Sequence, residues 1–300
     1  MNRPGVTAVR GAAVPKSRTV ARLLDRFYPV LEDGQRFRDG NSPFYAWLLS
    51  SLDGGSRVLN VGAGPMPEPG RRMRGLVGHL VGVDIDPVVM TNEDLDEAQV
   101  IDGVRLPYED NLFDAVYSDW TMEHVEQPEL LLREIHRVLK PGASYWLRTT
   151  NLHHYVTAIA AVTPHWFHTW ALGKAGVERA DGGPWRTYYR SNTPARLRAQ
   201  LLRAGFATCQ IDTLEPNPTY LTFNSLTFLI GVGYERLVNV SARLGGLRLI
   251  VLAKATKLPC EGAAGHPCVA LRVQRTRNAD LIAECAGWIS RRGPHQPSTG

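Results

Sequence analysis

The stretch VLNVGAGPMPEPG (residues 58–70) decides how the rest of the chain is read. Val58, Leu59 and Val61 have the character of a buried strand end. Gly62 and Gly64 then form a turn in which side chains would collide with something, and a nucleotide-like ligand is the usual reason. The residues after Gly64 discriminate between nucleotides. A P-loop needs Gly-Lys-Ser/Thr, and neither a lysine nor a hydroxyl stands there. A dinucleotide loop needs a third glycine at position 67, which here is proline. Prolines at 65, 67 and 69 also lack the amides that a phosphate would use. The loop is poorly built for an anion.

Acids stand farther along at strand tips. Asp84 ends the next apolar run, about 20 residues on, where a carboxylate can take two ribose hydroxyls. Asp102 ends the run after that. S-adenosylmethionine (SAM) has no phosphate, a positive sulfur, an adenosine and an amino-acid end. Two spaced acids without the third glycine favour it over NAD.

The chain has 300 residues, 44% of them apolar, enough for one large α/β domain with an insertion or two small domains. No run reaches the roughly 18–20 apolar residues of a membrane span, and the start lacks a secretory apolar segment. The net charge of +5 is unevenly placed. Residues 1–24 carry five basic residues and no acid, and residues 259–300 carry five arginines against three acids, which leaves −2 for the body. That argues against nucleic acid as a partner of the body. The four cysteines match no zinc spacing and include no Cys-x-x-Cys. They read as reduced thiols of a cytoplasmic protein, and no metal is expected.

Along the chain, residues 1–20 read as a disordered basic tail, 21–258 as the folded domain and 259–300 as a tail without an evident role. Helical spacing marks Arg22–Leu31 and Pro43–Leu52. Strand-like runs fall at Arg57–Val61, Leu80–Asp84, Gln99–Asp102, Ala115–Ser118, Ser144–Thr149, Phe206–Asp212 and Leu247–Ala255. Pro128–Leu139 predicts a helix stopped by Pro141-Gly142, and Thr193–Ala204 another, with Thr193 as its N-cap and Gly205 at its end. Residues 151–192, rich in His, Trp and Tyr, break the strand–helix rhythm and read as an insertion. Phe223–Leu244 is apolar beyond what a solvent-facing connection needs, so it predicts a helix that is mostly core. A partly exposed face there leaves open a peripheral surface contact or a homodimer.

With these pieces in order, the sequence resembles the class I SAM-dependent methyltransferases, specifically the type 11 group. "VLNVGAGP" is similar to the first motif, "VGVDID" to the second, and "DGVRLPYEDNLFDAVYSDWTMEHV" to the third and fourth. "LLREIHRVLKPG" is similar to the helix and turn before the fifth strand, and "TPARLRAQLLRAGF" extends the likeness. The resemblance implies a Rossmann-like, seven-stranded, mostly parallel sheet with its last strand antiparallel and helices on both faces. An aromatic-rich lid would follow the fifth strand. It implies SAM as cofactor and S-adenosylhomocysteine (SAH) as product. The cofactor would lie against Val61, Gly62, Ala63 and Gly64, Asp84 and Ile85, Asp102 and Gly103, and Ser118 and Asp119. One departure is Asn60, where the first motif usually carries an acid; an amide still orders the loop, with weaker cofactor binding expected.

Methyl transfer from a sulfonium is an in-line displacement, and an oxygen or carbon acceptor often also needs a base. His124, after the fourth strand, and His153 and His154, after the fifth, are the candidates. Tyr155, His165, Trp166, Tyr188 and Tyr189 are candidate acceptor contacts, their rings forming either a lid that excludes water or the core of a small subdomain. The expected function is methylation of a small or medium, partly apolar metabolite at O, N or C. The competing reading is a catalytically silent SAM- or nucleoside-binding module acting through a partner.

Overall fold

The computed structural model describes residues 17–31, 36–163 and 186–259. The expected tail ends (1–16, 260–300) and the middle of the expected lid, including His165 and Trp166, lie outside the described residues. Seven strands form one sheet: β1 (Arg57–Val61), β2 (His79–Asp84), β3 (Glu97–Val100), β4 (Phe113–Asp119), β5 (Leu139–Thr150), β6 (Thr208–Leu214) and β7 (Ile250–Thr256). Their order is β3-β2-β1-β4-β5-β7-β6. β7 runs antiparallel to both neighbours and the remaining pairings are parallel. This is the mostly parallel sheet that the sequence predicts. Because β2 and β3 lie on one side of β1 and β4 on the other, the chain reverses direction of growth between β1 and β4. In open α/β sheets ligands bind outside the carboxyl ends of the strands at such a reversal.

Helices cover both faces. α3 (Pro128–Val138) and α5 (Pro194–Arg203) pack Leu131, Leu132, Ile135, Leu197 and Leu201 onto Leu59, Val81, Phe113 and Val116. On the opposite face α2 (Ser42–Leu49) sets Phe44, Tyr45 and Leu48 against Val58, Leu80, Ala115 and Tyr117. The side-chain alternation of β1 thus divides Leu59 and Val61 from Val58 across the sheet. α1 (Arg18–Phe27) and α6 (Ser225–Val240) form a third core around Tyr28, Phe228 and Val232. α4 (Tyr155–Val162) follows β5.

Several elements depart from the periodicity. The links from β1 to β2 and from β2 to β3 hold only single 3₁₀ turns, Pro69–Arg71 and Pro87–Thr91, where alternation predicts helices. Three prolines in the first link remove amides that a helix would need. β3 ends at Val100, two residues before Asp102, because the Asp102 carboxylate accepts from the amides of Val104 and Arg105 and turns the chain. β5 begins at Leu139 rather than Ser144. Gly142 (φ +81°) bends the strand where its register against β4 shifts, so Pro141-Gly142 lies within the strand and α3 ends at Val138. Of α6, Phe228, Val232, Glu235 and Val238 are buried, while Leu226, Ile230, Leu237 and Val240 form an exposed apolar row. No helix of the described residues is long and apolar enough to cross a membrane.

Candidate active site

The loop after β1 turns back immediately. The amides of Gly62 and Ala63 donate to the Val83 carbonyl at 2.8 and 3.0 Å. Gly62 has φ +76°, and a Cβ there would overlap Thr121 Oγ1, so only glycine passes beneath β4's extension. Thr121 Oγ1 in turn donates to the Val61 carbonyl at 3.1 Å, tying the tips of β1 and β4 together. Gly64 (φ +55°) faces open space and donates its amide to Asp84 Oδ2 at 2.9 Å. Asp84 Oδ1 accepts from the Asp86 amide at 2.9 Å, which fixes the carboxylate at the tip of β2.

With no helix behind it, the loop is held by side chains from the next link. Asn92 Nδ2 donates to the Gly64 and Pro65 carbonyls at 3.1 and 3.2 Å. Asp94 Oδ2 accepts from the Met73 amide at 2.9 Å. Beside Asp84, Ile85 is 54% exposed, and its Cγ2 stands 3.1 Å from where a Cβ of Gly103 (φ +89°) would be. Ile85 thus packs on the Gly103 backbone and presents its exposed apolar face beside Asp84. Asp102 lies on the surface, and the Val104 and then Arg105 amides hold its carboxyl below the usual range.

Ser118 is buried with its Oγ 2.6 Å from the Tyr145 hydroxyl, and so belongs to the interior. Asp119 anchors a buried charge cluster. It accepts from Arg148 Nε and Nη2 at 2.5 and 2.6 Å, from the Tyr45 hydroxyl at 2.9 Å, and pairs with Arg71 at 3.1 Å. Burial alone would raise its pKa. Arg148 and then Arg71 overcome that and hold it below the usual value. Arg148 is fully buried, bonds Asn41 Oδ1 at 2.8 Å and the Gly40 carbonyl, and packs its guanidinium by the rings of Phe44, Tyr45 and Trp120.

The 3₁₀ turn Met122–His124 carries the next candidates. His124 Nδ1 lies 2.9 Å from the Arg186 carbonyl; a carbonyl can only accept, so Nδ1 is the donor and, in the neutral ring, Nε2 has the lone pair. Glu123 is buried and accepts from Thr149 Oγ1 at 2.8 Å. Burial raises its pKa, against His124, which lowers it. Its carbonyl accepts from the amides of Tyr188 and Tyr189, and the Tyr188 hydroxyl reaches Glu126 at 3.2 Å. Residues 186–189 and the turn after β4 therefore form one unit.

His154 and Tyr155 belong to a different group. His154 is 1% exposed, accepts the Val156 amide on Nδ1 as the N-cap of α4, and meets Glu215 through Nε2 at 3.2 Å. Both ring nitrogens are engaged within the chain. Tyr155 packs at a tilt against His154 and edge-to-face with Tyr234, and burial raises its pKa. His153 is exposed, its amide bonded to Asn151 Oδ1. Sequence reasoning missed Tyr45, Asn92, Glu123 and Arg148. Of these only Arg148 left a signal, as a lone charge within the apolar run YWLRTT, which a buried strand accepts only with a partner. Among the described residues no cluster of His, Cys, Asp and Glu could hold a metal ion. A groove of about 480 Å³ between the start of α3 and α5, lined by Glu126, Glu129, Arg190 and Arg203, includes none of the loop residues.

Residues 59–147, from the middle of β1 to the middle of β5, match the family model described as "Methyltransferase domain". Over these residues the chain is similar to the type 11 methyltransferases. Over 102 residues it is 36% identical to the sterol 24-C-methyltransferase erg6 of Schizosaccharomyces pombe, covering 30% of this chain and 27% of that one. Over 78 residues it is 35% identical to the demethylmenaquinone methyltransferase of Symbiobacterium thermophilum, covering 23% and 31%. The chain thus spans less than a third of the length of these curated relatives. A solved SAM-dependent methyltransferase from Mesorhizobium loti aligns with 73% of this chain and 99% of its own, at 18% identity and a TM-score of 0.46. The residues matched by the family model end in β5, so β6, β7 and α6 lie beyond them.

Proposed function

We propose that the protein transfers the methyl group of SAM to a partly apolar, small or medium acceptor. The observation that carries this reading is the loop itself: Gly64, open on its side-chain face, is bonded to Asp84, and the exposed Ile85 side chain, packed on Gly103, stands beside it. These residues fit an adenosine without phosphates. Asp84 would take the ribose hydroxyls, the base would lie on the exposed face of Ile85 with Asp102 and Gly103 at its edge, and Gly62-Ala63-Gly64 would lie under the sulfur end. SAM, when bound, supplies a methyl on a positive sulfur that is displaced in line. The chain's part is to align the acceptor and, where the acceptor atom carries a proton, to remove it. His124 Nε2, its tautomer set by the Arg186 carbonyl, is the group we assign to receive that proton, with exposed His153 as the second candidate. Tyr188 and Tyr189, tied to the same turn, are the assigned acceptor contacts. His154 supports α4 instead.

Relatives named for sterols and quinones support an apolar acceptor. On this reading the exposed row Leu226, Ile230, Leu237 and Val240 contacts the lipid surface that holds such a compound. The only acid on α6, Glu235, is buried, while Arg236 and Arg243 flank the row, which suits an anionic surface. Sedimentation with phosphatidylglycerol vesicles tests that contact, and concentration-dependent dimerisation by light scattering without vesicle binding would assign the row to a second copy. The function is tested with methyl-labelled SAM and a lipid extract. A labelled product identifies the acceptor and, by its mass spectrum, the methylated atom. SAH binding without product from any extract would leave a silent binding module.

A further inference from the structure

The body of the chain is slightly acidic, yet residues 186–211 carry Arg186, Arg190, Arg196, Arg198 and Arg203 and no acid. The fold turns three of these arginines onto one groove. Arg190 precedes α5, Arg196 stands in its first turn and Arg203 at its end, and all three line the cavity of about 480 Å³ between α5 and the start of α3. Arg196 and Arg203 are seven residues apart and so share a face of the helix. The volume is in the range of small-ligand sites.

The α3 wall supplies two carboxylates, and both are engaged. Glu129 pairs with Arg203 at 2.6 Å. Glu126 accepts from the Tyr188 hydroxyl at 3.2 Å and stands 3.8 Å from Arg190, which also donates to the Glu126 carbonyl. Among the described residues Arg196 engages Thr193 through its backbone amide, and its guanidinium has no acceptor. A guanidinium fits a phosphate through two parallel bonds. Leu130, 41% exposed, adds an apolar surface to the same groove. The groove is built from the two segments that carry the assigned acceptor contacts. Glu126 follows His124 by two residues, and the Arg186 and Arg190 guanidiniums lie 4.9 and 5.3 Å from the Tyr188 ring centre.

We infer that this groove is an anion subsite for the acceptor, in which Arg190 and Arg196 take a phosphate group carried by a partly apolar molecule whose methylated end lies at Tyr188 and His124. The inference rests on the proposed methyl transfer only in calling the ligand the acceptor; affinity of the groove for a phosphate is measured without it. Glu126 and Glu129 are the internal competitors for the same arginines. An acceptor of this class is an amphiphile, with its charge held in the groove and its apolar part outside it.

Calorimetry at low salt with octyl phosphate, and with octanol as the uncharged control, tests the subsite. The wild-type chain is expected to bind octyl phosphate and not octanol. Arg196→Gln should weaken octyl phosphate by about 5-fold, the upper end for an exposed charge pair. Glu129→Gln removes a competing carboxylate and should tighten it a few-fold, a gain that a folding defect cannot produce. Both variants should keep the wild-type affinity for SAH. Absence of octyl phosphate binding, or binding indifferent to both substitutions, overturns the subsite. A lipid headgroup is the other source of the same phosphate chemistry; sedimentation with phosphatidylglycerol vesicles that requires Arg196, without octyl phosphate binding, overturns the assignment to the acceptor. So does a labelled methyl product that an anion exchanger fails to retain at neutral pH. A wild-type chain that binds octyl phosphate but not SAH overturns the methyl-transfer reading and leaves the anion site standing.

Discussion

Replacing Arg148 by Met keeps the length of the side chain and its packing among Phe44, Tyr45 and Trp120, but removes the fork that holds Asp119. The carboxylate then retains only Arg71, at 3.1 Å and partly in solvent, and the Tyr45 hydroxyl, while Asn41 Oδ1 and the Gly40 carbonyl lose their donor. Breaking a buried pair from one side costs about 3–5 kcal/mol, because the surviving charge stays in a low-dielectric site. For a domain of this size, each kcal/mol lowers Tm by about 2–4 °C, so a fall of roughly 6–20 °C is expected. Urea unfolding followed by tryptophan emission reads it directly, since Trp120 lies 4.9 Å from the Arg148 guanidinium. The loss must also depend on pH in one direction. The folded state holds Asp119 below its ordinary value, so the ion pair stabilises fully above the unfolded carboxylate range near 3.9 and fades as pH falls through the lower folded value. The gap between wild type and Arg148→Met should therefore narrow toward pH 3. Asp119→Asn added to Arg148→Met should recover part of the loss. A cost below about 1 kcal/mol at pH 7, or a gap that widens in acid, would refute this account of the cluster.

Gly62→Ala forces a side chain at φ +76° into Thr121; SAH affinity should fall sharply, and Thr121→Gly in the same chain should restore part of it, as calorimetry would show. Asp84→Ala removes the acceptor of the Gly64 amide and, on the proposed reading, the ribose partner, so most SAH affinity should go; unchanged binding would take Asp84 out of the site. His124→Ala should leave SAH binding intact and lower turnover by about 10²- to 10⁴-fold if the acceptor must lose a proton, measured once a labelled product is known. Ile230→Asp with Leu237→Asp should leave the urea midpoint nearly unchanged, because both side chains are exposed, and abolish vesicle sedimentation.

Part of the fold was legible because certain turns carry a residue with a backbone task. Gly62 and Asp84 close β1 and β2 whatever packs above them, Gly205 closes α5, and Thr193 caps α5 as its spacing predicts. The links after β1 and β2 were not, since the alternation of strands predicts helices there and the local chemistry of Pro65, Pro67 and Pro69 prevails. Strand limits shifted where a side chain ends the ladder early, as at Asp102, or a glycine bends it, as at Gly142. The Asp119–Arg148 pair was invisible for a different reason: its members are 29 residues apart, and only the β4–β5 register makes them neighbours. His153 and His154 looked equivalent as adjacent residues, but a helix start sends successive side chains in different directions, one to solvent and one to Glu215.

The proline-led turn after β1 has an electrical consequence. A helix starting there would aim roughly half a positive charge at whatever lies above Gly62. Phosphate-bearing ligands profit from that field; a cationic sulfur would be repelled by it. By ending the strand in a short coil instead, this chain leaves the helix contribution out of the floor under Gly62, so the fixed charge nearest the loop is the Asp84 carboxylate, which suits a cationic methyl donor better than a pyrophosphate.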